Sequence, residues 1–394
     1  MNIGKEYVNQ SSSANTSTKT QTSPTKQPIP TTSAGIEAPV PFVETFTPPS
    51  SSSTHQCHTG TDVNVNDVIS TADGRVFATA GADGTIKIAE SSSGRIIRSL
   101  TGSSAIICLD ISEGTIDTLP PSSSGKSKSL DDPTDGRPIR INHYQYLLAG
   151  GSDGTSRLWD LSNGNQLRQL QGHANKVHSC HLFAGRVRAV TGSADRTIKL
   201  WDIEHSGHAI TSIRTSSSVL SVCPTMDHTA LVSGHQDGSV RVWDPSTGTS
   251  VHVLEKLHSS HVTCVTCSSN GYHLLTASKD NTLSLIDMRR YEKLFTLKSP
   301  SSSFRIVCDW SRVRFAPNGR HMAAGGSDGT VVLWSVATGS VTAVLPSPPV
   351  LQGTPAVAPG AHAITGVYWS RQSSGLCSGG IFAGTKSGTV HVWR

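Results

Sequence analysis

One short phrase recurs seven times along this chain of 394 residues. Each copy begins with a turn residue, usually Asp before Gly, and continues as an alternating apolar run that ends six positions later, often at Trp-Asp. Asp-Gly accepts the positive backbone angles of a tight hairpin turn, and apolar alternation with a period of two is typical of a β-strand. The chain is therefore a tandem array of hairpins. Their turn and strand-end residues pair as Asp83 with Ala89, Asp153 with Trp159, Asp195 with Trp201, Asp237 with Trp243, Asp280 with Ile286, Asp328 with Trp334, and Ser387 with Trp393.

The spacing of the copies gives the size of the repeating unit. Trp159, Trp201 and Trp243 follow one another at intervals of about 42 residues, the length of a four-stranded propeller blade. Longer gaps elsewhere are explained by insertions at about residues 113–140 and 346–361, which are rich in Ser, Pro or Gly. A four-stranded sheet cannot bury both faces alone, so blades must stack and the ring must close. The sequence therefore predicts an all-β fold, a seven-bladed WD-repeat β-propeller over residues 38–394.

The last copy of the phrase ends at Trp393-Arg394, which leaves the seventh blade with three strands. Its fourth strand has to come from the N-terminal side, and the compact apolar and β-branched run Phe42–Phe46 is the best candidate. Residues 1–37 consist largely of Ser, Thr, Asn, Gln, Lys and Pro, with too few bulky apolar residues to offset the entropy of ordering. We predict a disordered N-terminal tail there, followed by a propeller that an N-terminal strand closes.

Charge and hydropathy exclude several classes of protein. The formal net charge is +5 and the excess is spread along the chain, which is too weak to indicate nucleic-acid binding. No apolar run approaches the roughly 18 residues of a membrane helix, and residues 1–10 contain no apolar signal core. We therefore expect a soluble, non-secreted, cytoplasmic protein.

The eight cysteines lack the dense spacing of a small disulfide scaffold, so reduced thiols are expected. Cys264 and Cys267 form a CxxC, but residues three apart in a strand point to opposite faces and do not easily share a metal. The tract His55, Cys57 and His58 lies in a serine-rich stretch, and no second cluster completes a set of four ligands. We interpret this tract as a chance arrangement and predict no metal site.

Blade three contains the side-chain types of a hydrolytic triad in His173, Thr191 and Asp195, together with Trp201. In WD-repeat proteins such a set forms a buried hydrogen-bond chain instead, and active sites are not repeated blade after blade. We predict a structural role for the set, no enzymatic activity, no cofactor and no small-molecule substrate. A hydrolase that uses His173 and Asp195 is the competing hypothesis. Partial copies recur as Thr79 with Asp83, as Ser233 with Asp237 and Trp243, and as His261 with Thr276 and Asp280.

The loops on one face of the ring supply a candidate binding surface. The repeat register assigns basic and polar side chains and one aromatic anchor to this face, which suits an acidic peptide or an anionic membrane surface. An ordinary solvated rim is the alternative interpretation. The candidate binding residues are Lys176, His178, Gln236, His261, Lys279, Trp310, Arg312, Arg314 and Lys386.

Blades three to seven share several distinctive stretches with one known family: Gly172-His173 with Lys176-Val177, Gly192–Asp202, Ser233–His235, Ile286-Asp287 and, above all, Cys308–Gly319. On these residues they resemble the C-terminal propeller of the autophagy-related protein sixteen-like family. The resemblance implies a non-catalytic scaffold in autophagosome assembly or in membrane conjugation of a ubiquitin-like protein. It further implies partners among the autophagy conjugation machinery or adaptor peptides, with peripheral location at the phagophore or other endomembranes.

A second function uses the same face of the ring. The chain can be a substrate receptor or assembly subunit of a ubiquitin ligase or trafficking complex that binds a short linear motif. The proteins that copurify with the chain distinguish this hypothesis from the autophagy scaffold.

Overall fold

Seven sheets of four antiparallel strands are found among the residues that the structure, a computed structural model, describes. These residues are 49, 51–59, 64–72, 74–112, 146–183, 188–203, 207–346, 360, 362–370 and 380–394, all within one compact unit, Phe46–Arg394. The predicted tail at 1–37, the first insertion at 113–140 and most of the second at 346–361 lie outside the described residues. Their boundaries stay predictions.

The strands follow the repeat closely. The N-terminal strand β1 is Ser52–Gln56. Blade one contains β2 Val65–Ser70, β3 Val76–Gly81, β4 Thr85–Glu90 and β5 Ile96–Thr101. Blade two contains β6 Ile106–Ser112, β7 Tyr146–Gly151, β8 Ser156–Asp160 and β9 Gln166–Leu170. Blade three contains β10 Val177–Leu182, β11 Arg188–Ser193, β12 Thr197–Asp202 and β13 Ala209–Arg214.

The remaining blades have the same order. Blade four contains β14 Val219–Pro224, β15 Leu231–His235, β16 Val240–Trp243 and β17 Ser250–Leu254. Blade five contains β18 Val262–Cys267, β19 His273–Ser278, β20 Leu283–Asp287 and β21 Glu292–Leu297. Blade six contains β22 Val313–Phe315, β23 His321–Gly325, β24 Val331–Ser335 and β25 Val341–Leu345. Blade seven contains β26 Ile364–Trp369, β27 Ile381–Thr385 and β28 Thr389–Trp393, with β1 as its outermost strand.

The first strands of neighbouring blades contact one another around the whole ring and line its central channel. Between the blades lie apolar clusters to which two neighbours contribute, such as Leu285 of blade five with Val332 and Trp334 of blade six. The outermost strands, such as β9 and β17, are more exposed than the first strands, such as β10 and β14. The seven-bladed, all-β propeller predicted from the repeat is therefore confirmed.

The closing strand is N-terminal, as predicted, but it is a different segment. β1 pairs with β28, with Ser52 opposite Trp393 and Gln56 opposite Thr389. The prediction of Phe42–Phe46 for this position was wrong, and that segment lies outside the described residues. β1 is Ser-Ser-Thr-His-Gln and is largely half-buried or exposed, because an outermost edge strand needs backbone pairing more than apolar side chains.

A one-residue register shift near the start of the first strand recurs in six blades, such as that between Val262 and Cys264 in blade five. Blade six enlarges this irregularity. Two matching contacts align blade six with blade five. Before the irregularity, the Ser327 N–H donates to the Arg305 carbonyl, as the Lys279 N–H donates to the His261 carbonyl. After it, Val313 pairs with Ala324, as Val265 pairs with Thr276. Five residues, Val307–Ser311, therefore stand where blade five has Thr263 alone. We call this segment the blade-six bulge.

None of the described residues forms a helix long and apolar enough to cross a membrane.

Candidate functional site

The four residues singled out in blade three form one buried hydrogen-bond chain. Trp201 Nε1–H donates to Thr191 Oγ1 over 2.8 Å, Thr191 lies 2.7 Å from His173 Nε2, and His173 Nδ1–H donates to Asp195 Oδ2 over 2.9 Å. Burial opposes ionisation of Asp195, but the hydrogen bonds from His173 and Thr197 outweigh it and hold the pKa of the carboxyl well below its usual range. The chain ties the loop before β10 to β11 and β12.

Blades one and five repeat this arrangement with a different residue at the Trp position. In blade five, His258 Nδ1 lies 3.1 Å from Asp280 and its Nε2 lies 2.8 Å from Thr276. The assignment of His261 to this network was therefore wrong. The sequence did carry a signal, because His258 precedes the first strand residue by the same four positions that separate His173 from Val177.

In blade one, the partner of Asp83 is His58, whose Nδ1 lies 3.1 Å from the carboxylate and whose Nε2 lies 2.8 Å from Thr79. His58 is fully buried. The interpretation of His55, Cys57 and His58 as a chance arrangement was wrong for His58, because a longer loop between His58 and β2 hides the usual spacing. No metal-binding group of three or more His, Cys, Asp or Glu occurs among the described residues.

Blades four and six replace the histidine of the network in two ways. Blade four supplies His235 from the end of β15, with Nε2 2.7 Å from Ser233, which also accepts from Trp243 Nε1–H. Blade six places Phe304 edge-on to Trp334 at 6.5 Å between centroids, much as the His173 ring meets Trp201 at 6.0 Å. Ala324 stands where blade five has Thr276, so Trp334 Nε1–H donates instead to the Lys298 carbonyl over 3.4 Å. The turn residue Asp328 is retained and accepts from Ser301 Oγ over 3.0 Å.

The blade-six bulge lies over the entrance of the central channel and brings several predicted binding residues together. Its Asp309 carboxylate accepts from Lys279 Nζ over 2.9 Å and from His261 Nδ1–H over 3.0 Å. Burial opposes ionisation of Asp309, but these two partners outweigh it and lower the pKa of the carboxyl. Asp309 was missed in the sequence because it is acidic within a surface predicted to be basic. It neutralises part of that surface.

Trp310, the next residue of the bulge, stacks on His178 of blade three with 6.3 Å between ring centroids and 16° between ring planes. His178 is 6 % exposed, and burial together with the charge of Arg312 lowers the pKa of its imidazole to about 4. Within the described part of the chain, Trp310 Nε1 and His178 Nδ1 have no hydrogen-bond partner. The pair therefore forms an aromatic platform that is neutral at pH 7.

Arg312 does not lie on the binding face. It is 5 % exposed, its guanidinium donates to the carbonyl of His178 in blade three, and it lies 3.4 Å from Ser221 Oγ in blade four and 3.8 Å from Asp67 in blade one. Arg314 is half-buried over the Tyr368 ring of blade seven at 5.9 Å. The expectation of a surface position was wrong for Arg312 and for His178, which are both buried, because the bulge covers them at the channel.

The remaining predicted residues lie on the same face as the bulge. Lys176 and Gln236 are exposed and Lys386 is half-buried. Each takes part in a backbone hydrogen bond between the turn that joins the second and third strands of a blade and the loop before a first strand. An example is the bond from the Lys386 N–H to the Ala363 carbonyl. These residues define the channel-mouth surface: Lys176, Gln236, His261, Lys279, Asp309, Trp310 and Lys386.

The CxxC residues face opposite neighbours, as the strand period predicts. Cys264 Sγ lies 3.7 Å from the Val313 carbonyl of blade six, whereas Cys267 Sγ lies 3.6 Å from Cys223 Sγ of blade four. They do not converge on one point.

Comparison with known proteins agrees with this fold. The model of the WD domain, G-beta repeat family matches residues 50–89, 164–202, 204–244, 248–287 and 292–335, just over half of the chain. The Arabidopsis thaliana protein named Autophagy-related protein 16 is 31 % identical over 305 residues, which cover 77 % of this chain and 53 % of that protein. Protein tipD of Dictyostelium discoideum is 31 % identical over 200 residues, covering 50 % of this chain and 32 % of its own length.

Autophagic-related protein 16.2 of Caenorhabditis elegans is 32 % identical over 193 residues, which cover 48 % of this chain and 35 % of that protein. The chain thus spans about a third to a half of the length of these relatives. The repeat, the seven blades and the matched segments agree that the chain belongs to the WD domain, G-beta repeat family, with a propeller similar to those of Atg16-like proteins.

Proposed function

We propose that this chain is a non-catalytic scaffold of autophagy that binds a partner protein through the channel-mouth surface. WD-repeat propellers typically act as interaction scaffolds, and the similar proteins of Arabidopsis and Caenorhabditis carry autophagy in their names. Within autophagy, the proposed role of the chain is in autophagosome assembly or in membrane conjugation of a ubiquitin-like protein. The cytoplasm, with peripheral contact at the phagophore or another endomembrane, is the location that this role requires.

The aromatic platform is the observation that carries the proposed binding site. Trp310 is half-buried at the centre of a loop surface, where its ring stacks on His178, and aromatic anchors of this kind dominate the affinity of many interfaces. Lys176 and Lys386 lie on the same face, and neither ammonium has a hydrogen-bond or ion-pair partner among the described residues. An acidic peptide with one apolar side chain therefore fits this surface best.

The buried hydrogen-bond chain argues against the competing hydrolase. His173 is 8 % exposed and Thr191 is fully buried, so a substrate has no direct access to the imidazole and hydroxyl. The same geometry recurs around His58 and His258, which fits a structural element of each blade.

Capture of partners from cells tests the proposal. The wild-type chain is compared with the double variant Lys176→Glu/Lys386→Glu. The matched control is the double variant Arg290→Glu/Lys293→Glu, which makes the same charge change away from the channel mouth. Arg290 is exposed in the turn after β20, and Lys293 is exposed on the outer strand β21. We expect autophagy conjugation proteins with the wild type and the control, and their loss with the channel-mouth variant.

Two outcomes contradict the proposal. Capture that is equal for all three chains rules out the channel-mouth surface as the binding site. Enrichment of ubiquitin-ligase or coat subunits in place of autophagy proteins favours the second function, a substrate receptor or assembly subunit that uses the same surface.

A further inference from the structure

Two pairs of cysteine thiols meet between neighbouring blades. Cys108 of blade two lies 3.3 Å from Cys180 of blade three, and Cys223 of blade four lies 3.6 Å from Cys267 of blade five, measured between sulfur atoms. All four residues belong to first strands of their blades. In both pairs the thiols are free and unlinked.

The two pairs differ in how far solvent reaches them. Cys108 and Cys180 are 1 % and 2 % exposed, so an oxidant in solution does not reach either sulfur without unfolding. Cys223 is 5 % exposed, but Cys267 is half-buried. Cys267 ends β18 next to the turn that carries Tyr272, which is 51 % exposed. Of the two pairs, only the second therefore includes a partly exposed residue.

We propose that Cys267 and Cys223 are a modification site at which peroxide forms a disulfide that links blade four to blade five. The sulfur atoms, 3.6 Å apart, have to approach by about 1.5 Å to reach a disulfide bond length of about 2.05 Å. This inference is independent of the proposed binding function.

The chemistry has two balanced steps. The Cys267 thiol loses its proton to solvent, and the thiolate attacks one oxygen of hydrogen peroxide. An S–O bond forms and the O–O bond breaks, so Cys267 becomes a sulfenic acid and the departing hydroxide takes up a proton to leave as water. The Cys223 sulfur then attacks the Cys267 sulfur, forming the S–S bond, breaking the S–O bond and releasing a second water. The two thiols lose two electrons and the peroxide gains them.

The surroundings of the two thiols decide which cysteine reacts first with peroxide. The hydrogen bond with Cys267, followed by burial, raises the pKa of the Cys223 thiol well above its usual value. A buried thiol of raised pKa is a poor first nucleophile toward an oxidant in solution. Cys223 is therefore the resolving residue, and Cys267 is the residue that reacts first.

Peptide mass spectrometry after peroxide treatment and alkylation tests the proposal on the full chain. The wild type should yield a linked pair of peptides that contain Cys223 and Cys267, lost in Cys267→Ser and retained in Cys108→Ser. Melting of the native chain gives a second readout, since the oxidised wild type should melt at a higher temperature than its reduced form and oxidised Cys267→Ser should not.

The proposal is overturned if Cys267 is oxidised without a link to Cys223, or stays reduced at peroxide levels that leave the fold intact. A link between Cys108 and Cys180 that precedes the Cys223–Cys267 link also overturns it, because access would then not decide which pair reacts.

Discussion

The guanidinium of Arg312 lies 3.8 Å from the carboxylate of Asp67, and both side chains are almost completely buried at the central channel. The Arg312 guanidinium also donates to the carbonyl of His178, so one side chain joins blade six to blades one and three. Asp67 in turn accepts from the N–H of Leu109 in blade two over 3.0 Å. The ion pair therefore links blades that are not neighbours around the ring.

Replacing Arg312 should destabilise the propeller strongly. Arg312→Met leaves the Asp67 carboxylate buried without its countercharge, and loss of one partner of a buried ion pair costs about 3–5 kcal/mol. Urea unfolding followed by tryptophan fluorescence measures the change. Lys293→Met on the exposed outer strand is the matched control, with an expected change within about 0.5 kcal/mol. Equal stability of the two variants would refute the role assigned to the ion pair.

Truncation of the two histidines of blade five should destabilise the protein to different degrees. His258→Ala removes the hydrogen bonds of the imidazole to buried Thr276 and half-buried Asp280, which should cost about 1–3 kcal/mol of unfolding free energy. His261→Ala removes only a half-exposed contact to Asp309 and should cost less than about 1 kcal/mol. Thermal unfolding of both variants checks this, with His173→Ala expected to resemble His258→Ala. The assignment fails if His261→Ala is the more damaging change.

Neutralising Asp309 should strengthen binding of acidic ligands to the channel-mouth surface. Asp309→Asn releases Lys279 and His261 from a half-exposed ion pair, and such pairs are worth up to about 1 kcal/mol, or roughly fivefold in affinity. Fluorescence polarisation with a glutamate-rich peptide measures the gain, which should shrink at high salt. Asp244→Asn, at the opposite end of blade four, makes the same charge change and should have no effect.

Stability should fall as the pH falls below the ordinary pKa of histidine. Burial lowers the pKa of His178, His235 and His391 to about 4, whereas an unfolded chain binds the proton near pH 6.5. Stability is therefore full above about pH 6.5 and is lost toward pH 4, by up to about 3 kcal/mol per histidine. Calorimetry across this range measures the slope, and His391→Gln should reduce it. A melting temperature that is flat between these pH values would contradict the neutral, buried state of these side chains.

The sequence alone determined the features that depend on short stretches of chain. The Asp-Gly turn, the alternating strand and the interval of about 42 residues are local patterns, so the seven blades follow without any knowledge of distant contacts. The hydrogen-bond chain of His173, Thr191, Asp195 and Trp201 was likewise predictable, since its members keep the standard spacing within one blade.

Only the tertiary structure decided the features that depend on distant or irregular pairing. The closing strand is polar and pairs Ser52 with Trp393 at the other end of the chain, a choice that hydrophobicity does not reveal. The blade-six bulge adds residues that no repeat register anticipates, and it decides that Trp310 covers the channel while Arg312 is buried within it. The physical reason is that periodicity reports which face of a strand a residue occupies, whereas burial at the channel depends on which blades meet there.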